Sequence, residues 1–403
     1  MPTTNSGTLS DTNYPAEQTN QIDVDEEIAL LEGSVGLFAP QYTRTMKKSA
    51  TSQKVEWLED EAQPVYTAIG TDALASGVDT TMDVTAGTGQ HLKVNDVLHV
   101  ESTGEHLLIT AFNSADNVTI TRAWGTTAGA AAVAAVGLVR IANNSPQGSS
   151  YPTPKATLVV GQYNLQGIIK TSFAFTKSAT MEHFRGETDP VSYQKAKHLK
   201  EHLREIENTI WLGQRFAGTG STTNHGTQPQ LSAGGIDGFI STNKTLTAGA
   251  LTQTVWELWL RSQVFRYGEV LGEKLVVVSP VVANAIQAFA AGKLAPPSPE
   301  ISKWGVRIRQ YASVLGDVNI VLHPDWRQYG TGASGGNVLN FSLGGAAYGV
   351  DMDHFYLKGY RTTKYQENLQ NPGDDAFVGQ YLTEFCPVVK HERLFSKLAG
   401  VTS

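Results

Sequence analysis

A single cysteine, Cys386, serves a chain of 403 residues. One thiol forms no intrachain disulfide, and neither a cysteine-rich zinc site nor a secreted disulfide scaffold is possible. Charge is also sparse: 17% of residues are charged, the formal net charge is −7, and no basic run exceeds the pair Lys47–Lys48. A specific, tight nucleic-acid binder carries a basic stripe, so the composition argues against one. Long apolar runs are missing too. The least polar stretch, Ala128 to Val139, is rich in Ala and Gly and falls well short of the roughly 20 residues of a membrane helix. Met1 to Ile22 is polar and has no apolar core, so it does not read as a signal peptide. These absences predict a soluble protein made in a reducing cytoplasm, with no membrane partner.

The polarity that is present comes largely from Gly, Thr, Ser, Asn and Gln, and 39 glycines suit a β-rich chain with many turns. The low charge also suits a protein that buries further surface by associating with copies of itself. The polar first 22 residues predict a flexible arm. Asp23 to Leu31 predicts a short helix, and Lys54 to Asp60 a strand with Val55, Trp57 and Val65 on the buried side. Between Val78 and Ala142, five short strand signals (81–85, 97–101, 106–110, 118–122, 137–141) alternate with turn residues, which predicts a small inserted β-barrel or sandwich. Thr157 to Phe175 predicts a strand or hairpin.

The dominant element runs from Asp189 to about Phe216. Asp189 is an N-cap and Pro190 fits the first helical turn. Ala196, Leu199, Leu203, Ile206 and Ile210 then recur at helical spacing as an apolar seam flanked by charged residues that predict a solvated face. The seam is too short for a coiled coil. Ala217 to Gly238 predicts a surface loop, Val255 to Tyr267 a second helix carrying Trp256 and Trp259, and Pro280 to Ala290 a third. Strands are predicted at 274–279, 306–311, 318–322, 338–343, 353–357 and 380–390. The part after residue 155 therefore reads as one α+β body.

Catalytic patterns are weak. His198-Leu199-Lys200-Glu201-His202 fits H-x-x-E-H, in which two histidines one turn apart hold zinc beside a glutamate base. A charged helix matches that spacing readily, no third ligand is identifiable, and the two histidines read as solvated. Gly87-Thr88-Gly89 and Gly218-Thr219-Gly220 lack the context of a phosphate loop. Gly332-Ala333-Ser334-Gly335-Gly336 matches G-x-S-x-G without the strand-to-helix turn of a nucleophile elbow. Cys386 lies in an apolar strand and reads as inert, and His323-Pro324-Asp325-Trp326 reads as a turn. No catalytic, cofactor-binding or metal-binding residue is assigned. The candidate structural and interface residues are Trp57, Leu199, Leu203, Ile206, Trp256 and Trp259.

Three segments carry a family resemblance: Val55-Glu56-Trp57-Leu58; Lys93 to Leu98 with Gly104-Glu105 and Val118 to Arg122; and the strand-helix pair Lys274 to Phe289. In this order they resemble the major capsid proteins of tailed bacteriophages with the Hong-Kong-ninety-seven fold, and more narrowly the major head proteins typified by phage SU-ten. The resemblance implies an N-terminal arm (1–50), an extended-loop strand (51–77), an inserted barrel (78–142), a peripheral domain with the long helix (143–239), an axial domain (240–350) and returning C-terminal strands (351–403). It implies a non-enzymatic shell subunit without cofactors, assembling through hexamers and pentamers into an icosahedral head that encloses double-stranded DNA without binding it specifically. A separate scaffold, or none, is implied, and scaffold, portal and decoration proteins are the candidate partners. A nanocompartment shell, a phage tail component and a zinc hydrolase using His198 and His202 are the rival readings.

Overall fold

The computed structural model describes residues 36–39, 47–181, 189–219, 228–267, 274–289, 294–295, 308–313, 315–328 and 343–402. The expected helix at 23–31, the G-x-S-x-G segment and all of the expected strand 338–343 except Leu343 lie outside them, and Leu343 opens the 3-10 turn Leu343–Gly345. The chain divides into two compact units, Leu58–Gln162 and the remainder, Met1–Trp57 with Tyr163–Ser403. Its architecture is α+β.

In the larger unit a seven-stranded mixed sheet runs in the order Lys244–Gly249, Ser396–Val401, Ala347–Val350, Lys274–Val278, Gly316–Leu322, Ile308–Ser313, Leu294–Ala295. Alternation in its central strand sorts two cores. Val276 and Val278 face the helices Gln253–Trp259 and Pro280–Phe289, while Val277 faces the long helix. A four-stranded sheet is ordered Lys47–Ser49, Phe355–Gln366, Ala376–Val389, Gly167–Thr176. Phe355, Leu357, Phe385 and Val389 on one of its faces join Ile206, Ile210 and Trp211 of the long helix in the same core as Val277, Val321 and Tyr348. The helix is thus packed among both sheets.

That helix spans Pro190–Leu212, and the Asp189 carboxylate accepts the Val191 and Ser192 N–H groups at 3.1 and 3.2 Å, as the sequence predicts. It stops four residues before Phe216 because Gly213 sits where a Cβ would collide with the Ala233 and Thr209 carbonyls, and Gly213 in turn accepts the Gly235 N–H at 2.7 Å. The expected loop 217–238 carries regular elements among its described residues. Phe216–Thr219 pairs antiparallel with Pro229–Ser232, and Ile236–Phe239 is a helical turn. The second helix begins at Gln253, capped by Thr252, and its continuation Leu260–Val264 is a π-helical turn.

The smaller unit holds a six-stranded antiparallel sheet ordered Tyr66–Ala68, Gly137–Asn143, Asp96–Val100, His106–Phe112, Asn117–Thr121, Thr81–Asp83. A bridge between Ile69 and Val84 joins its two edge strands, closing a small barrel around Met82, Leu98, Val100, Leu107, Ile109 and Leu138. This unit is larger than the expected 78–142. Tyr66–Ala68 supplies a sixth strand too short for its alternation to be read. Further along the chain, Gln63 Nε2 donates to the Lys155 carbonyl at 2.7 Å. Val65, expected to be buried, is exposed.

Candidate functional site

The long helix carries a polar group that its periodicity did not single out. Glu207 is fully buried, and its carboxylate accepts the Phe38 and Ala39 N–H groups at 2.7 and 2.6 Å, Trp211 Nε1 at 2.8 Å and His323 Nε2 at 3.0 Å. A buried carboxylate persists only when its lone pairs are filled, and here four donors fill them. Around it Phe38 stacks on Trp211 with centroids 5.3 Å apart, and Trp211 meets Trp326 edge-on at 4.9 Å. Gly36 lies so close to the Glu207 side chain that any Cβ there would overlap it. Residues 36–39 are therefore docked onto the helix by both shape and hydrogen bonding.

One turn earlier His202 is also buried, which corrects its reading as solvated. Its Nδ1 lies 2.8 Å from Thr171 Oγ1, and its Nε2 lies 2.7 Å from Thr383 Oγ1. Thr171 donates its hydroxyl proton to Glu205 at 2.8 Å, so the hydrogen bond at Nδ1 runs from the ring to Thr171. Burial lowers the His202 pKa from 6.5 to about 4, keeping the ring neutral. His198 instead pairs with Glu201 at 2.8 Å and stacks on Phe173 at 5.3 Å. The two rings of the H-x-x-E-H pattern are thus turned to separate partners. Among the described residues no group of three or more His, Cys, Asp or Glu side chains is placed to hold a metal.

Other buried polar groups tie distant segments together. Asn164 donates to the Gly234 and Pro387 carbonyls at 2.9 and 2.6 Å and accepts the Gly234 N–H at 2.8 Å. Lys274 pairs with Asp351 at 2.9 Å in the seven-stranded sheet. In the barrel, Glu105 is fully buried and receives Arg122 Nε and Nη2 at 2.7 and 2.6 Å, plus the Ala123 N–H at 2.8 Å. Burial pushes the Glu105 carboxyl up, but Arg122 and the backbone donors together outweigh it and leave it below the usual range. Burial pushes the Cys386 thiol up to about 12, so it stays a thiol.

The candidate interface residues are mostly absorbed by the chain's own packing. Trp256 and Trp259 are 0% and 1% exposed in the core behind the seven-stranded sheet, which leaves no indole face for another subunit. Ile206 is buried, Leu203 packs against the same core, and Trp57 lies 5.9 Å from Phe239 in a smaller cluster with Val55, Cys386 and Val388. Leu199 is half-buried. Exposed large apolar side chains include Leu58 at 74%, Leu158 at 84%, and Val159 and Val160 at 55%. All four belong to the smaller unit, where Leu58 lies beside Gly161. The alternation over 157–175 predicts a strand or hairpin without saying which face the rest of the chain covers. Among the described residues, no helix is long and apolar enough to cross a membrane.

The sequence matches the SU10 major capsid protein family over residues 3–402. No curated protein matches it. Solved structures similar to it include the capsid of the native GTA particle, at 8% identity over 98% of this chain and 100% of that one with a TM-score of 0.49. A chain of Mycobacterium phage Ogopogo is similar at 8% identity over 98% and 99% of the two chains, TM-score 0.49, and one of Gordonia phage Cozz at 12% identity over 100% and 98%, TM-score 0.45.

Proposed function

The chain belongs to the SU10 major capsid protein family, a structural and not a catalytic component of the tailed-phage virion, and from that premise we propose how it builds a shell. In this reading the fold is of the Hong-Kong-ninety-seven type. Residues 1–50 form the arm and 51–77 the extended-loop strand, with the barrel inserted in that loop. The long helix and the four-stranded sheet make the peripheral domain, and 240–350 make the axial domain. Hexamers and pentamers of the chain assemble in the host cytoplasm, with or without a separate scaffold, then enclose double-stranded DNA. Heterologous contacts that close into rings and then a shell need no active site.

The supporting observation is the exposed apolar group Leu58, Leu158, Val159 and Val160. Apolar side chains of this size are stabilised by about 1.5–3 kcal/mol each when fully buried. Three of them are consecutive and Leu58 lies beside Gly161, so on a low-charge chain they offer surface for another copy to cover. The double substitution Leu158→Asp/Val160→Asp tests it. Electron microscopy should show loss of closed particles and rings, while the melting temperature of the unassembled chain stays within about 2 °C of the parent. Normal particles from the variant would refute this assembly surface.

A further inference from the structure

The four-stranded sheet brings together lysines from three distant segments. Lys48 is the register partner of Lys358, and Lys358 that of Cys386, so these side chains share one face of the sheet. Tyr356 is on the same face, two residues from Lys358 and opposite Val388. The Lys48 ammonium lies 3.9 Å from the centroid of the Tyr356 ring, and that of Lys390 lies 5.6 Å from the same centroid. Lys48 is exposed, and Lys358 and Lys390 are half-buried.

No described carboxylate pairs with any of these lysines. The nearest one along the same face, Glu384, is committed to Arg361 at 2.7 Å. Like charges directly opposite on neighbouring strands are destabilising. The Tyr356 ring offsets part of that repulsion through its π face, by roughly 0.5–1 kcal/mol at an exposed site. A lysine on an edge strand can also serve to discourage strand addition. That accounts for Lys48, but Lys358 lies on an inner strand and Lys390 beyond the end of another. An anion set over this face would offset the repulsion that remains.

We propose that Lys48, Lys358 and Lys390 around Tyr356 form a contact site for the phosphate backbone of nucleic acid held inside the shell. The inference rests on the capsid reading above and gives its enclosed polyanion a place on the subunit. Ammonium groups are point charges suited to backbone contact without base readout. The Debye length of about 8 Å at physiological salt lets a local cluster act although the whole chain is acidic. The sequence concealed the site, because Lys48 stands roughly 300 residues from the other two and only strand pairing brings it to Lys358.

The test uses the full-length chain and a fluorescent 30-base-pair duplex of random sequence, titrated at several salt concentrations. The parent should bind, with a salt slope that falls by about 2.7 when all three lysines become glutamine (Lys48→Gln, Lys358→Gln, Lys390→Gln). At low salt that variant should bind at least tenfold more weakly. A control with Lys93→Gln, Lys170→Gln and Lys197→Gln, lysines scattered elsewhere, should bind as the parent does. Equal losses in both triple variants would overturn the proposal, as would no binding by the parent. Tighter binding of polyglutamate of matched charge would make the partner an acidic protein and overturn it as well. Negative-stain imaging of the same proteins separates this proposal from the capsid reading. Particles formed by the glutamine variant, with DNA binding lost, support it. Failure of that variant alone to form particles would make the cluster a subunit contact and overturn it. Failure of the parent to form particles would count against the capsid reading and leave the binding result standing by itself.

Discussion

Glu207 and His323 meet through a 3.0 Å hydrogen bond where each side chain is only 1% exposed, 116 residues apart in sequence. The same carboxylate holds Phe38 and Ala39 from the other end of the chain. One residue of the long helix therefore fastens two distant segments to it, and the fastening is polar inside an aromatic core.

Replacing Glu207 with glutamine keeps the shape but presents an NH₂ group to sites now filled by donors. Leaving buried donors unpaired costs about 1–3 kcal/mol each. We expect a total loss of about 3 kcal/mol or more, and a melting temperature lower by roughly 6–12 °C for a unit of this size. Differential scanning calorimetry of the unassembled chain checks it; an unchanged melting temperature would mean the network carries no stability.

Truncation separates the arm from its dock. Removing residues 1–34 should leave the melting temperature within about 2 °C, because Leu37, Phe38 and Ala39 remain in the core. Removing residues 1–40 takes away the buried Phe38 ring and two of the hydrogen bonds to Glu207, a loss of about 3–5 kcal/mol from the aromatic alone. The sequence predicts that deleting residues 1–40 leaves a soluble fold and abolishes particles, whereas the burial of residues 36–39 sets the limit for intact folding before residue 36. Calorimetry of the two truncations decides between the limits.

Acid should weaken the larger unit through His202. Its folded-state pKa of about 4 lies below the 6.5 of an unburied histidine, so between those values the unfolded chain binds the proton and the folded chain does not. Stability present at neutral pH is lost as pH falls from about 6.5 to about 4, by up to about 3 kcal/mol. His202→Gln should flatten the melting temperature across that window while lowering it slightly at pH 7 through poorer hydrogen bonds to Thr171 and Thr383. A variant as acid-sensitive as the parent would exclude His202 as the source.

The barrel should respond in its own way. Glu105→Gln leaves the Arg122 guanidinium, whose side chain is 5% exposed, without its bidentate partner. Breaking a buried pair from one side costs about 3–5 kcal/mol. Limited proteolysis should then cut within residues 58–162 first, with the larger unit intact. In the parent the Glu105 carboxyl lies below the usual range, so its contribution is complete above the unfolded value of 4.5 and is lost only as pH falls through the lower folded value. Cleavage confined to the other unit would contradict this.

Local signals carried much of the fold. The Asp189 cap, the strand with Val55 and Trp57 inward, the valine run 274–278 and the turn-separated strands of the barrel are all written in spacing and turn chemistry, and the order of three segments was enough to suggest the capsid family. A seam read from apolar residues alone also found Ile206 and Ile210. It could not find Glu207 or His202, which lie on the same buried stripe, because a charged or polar side chain is tolerated there only when partners arrive from residues 38, 171, 323 and 383. For the same reason Trp256 and Trp259 could be seen as large and adjacent, while whether they faced a neighbour or their own sheet depended on what lay across from them. Hydrophobic periodicity is a property of the local chain and was settled by the sequence. Burial of charge, closure of the barrel and the meeting of Lys48, Lys358 and Lys390 depend on strand pairings far apart in sequence, and only the tertiary structure decided them.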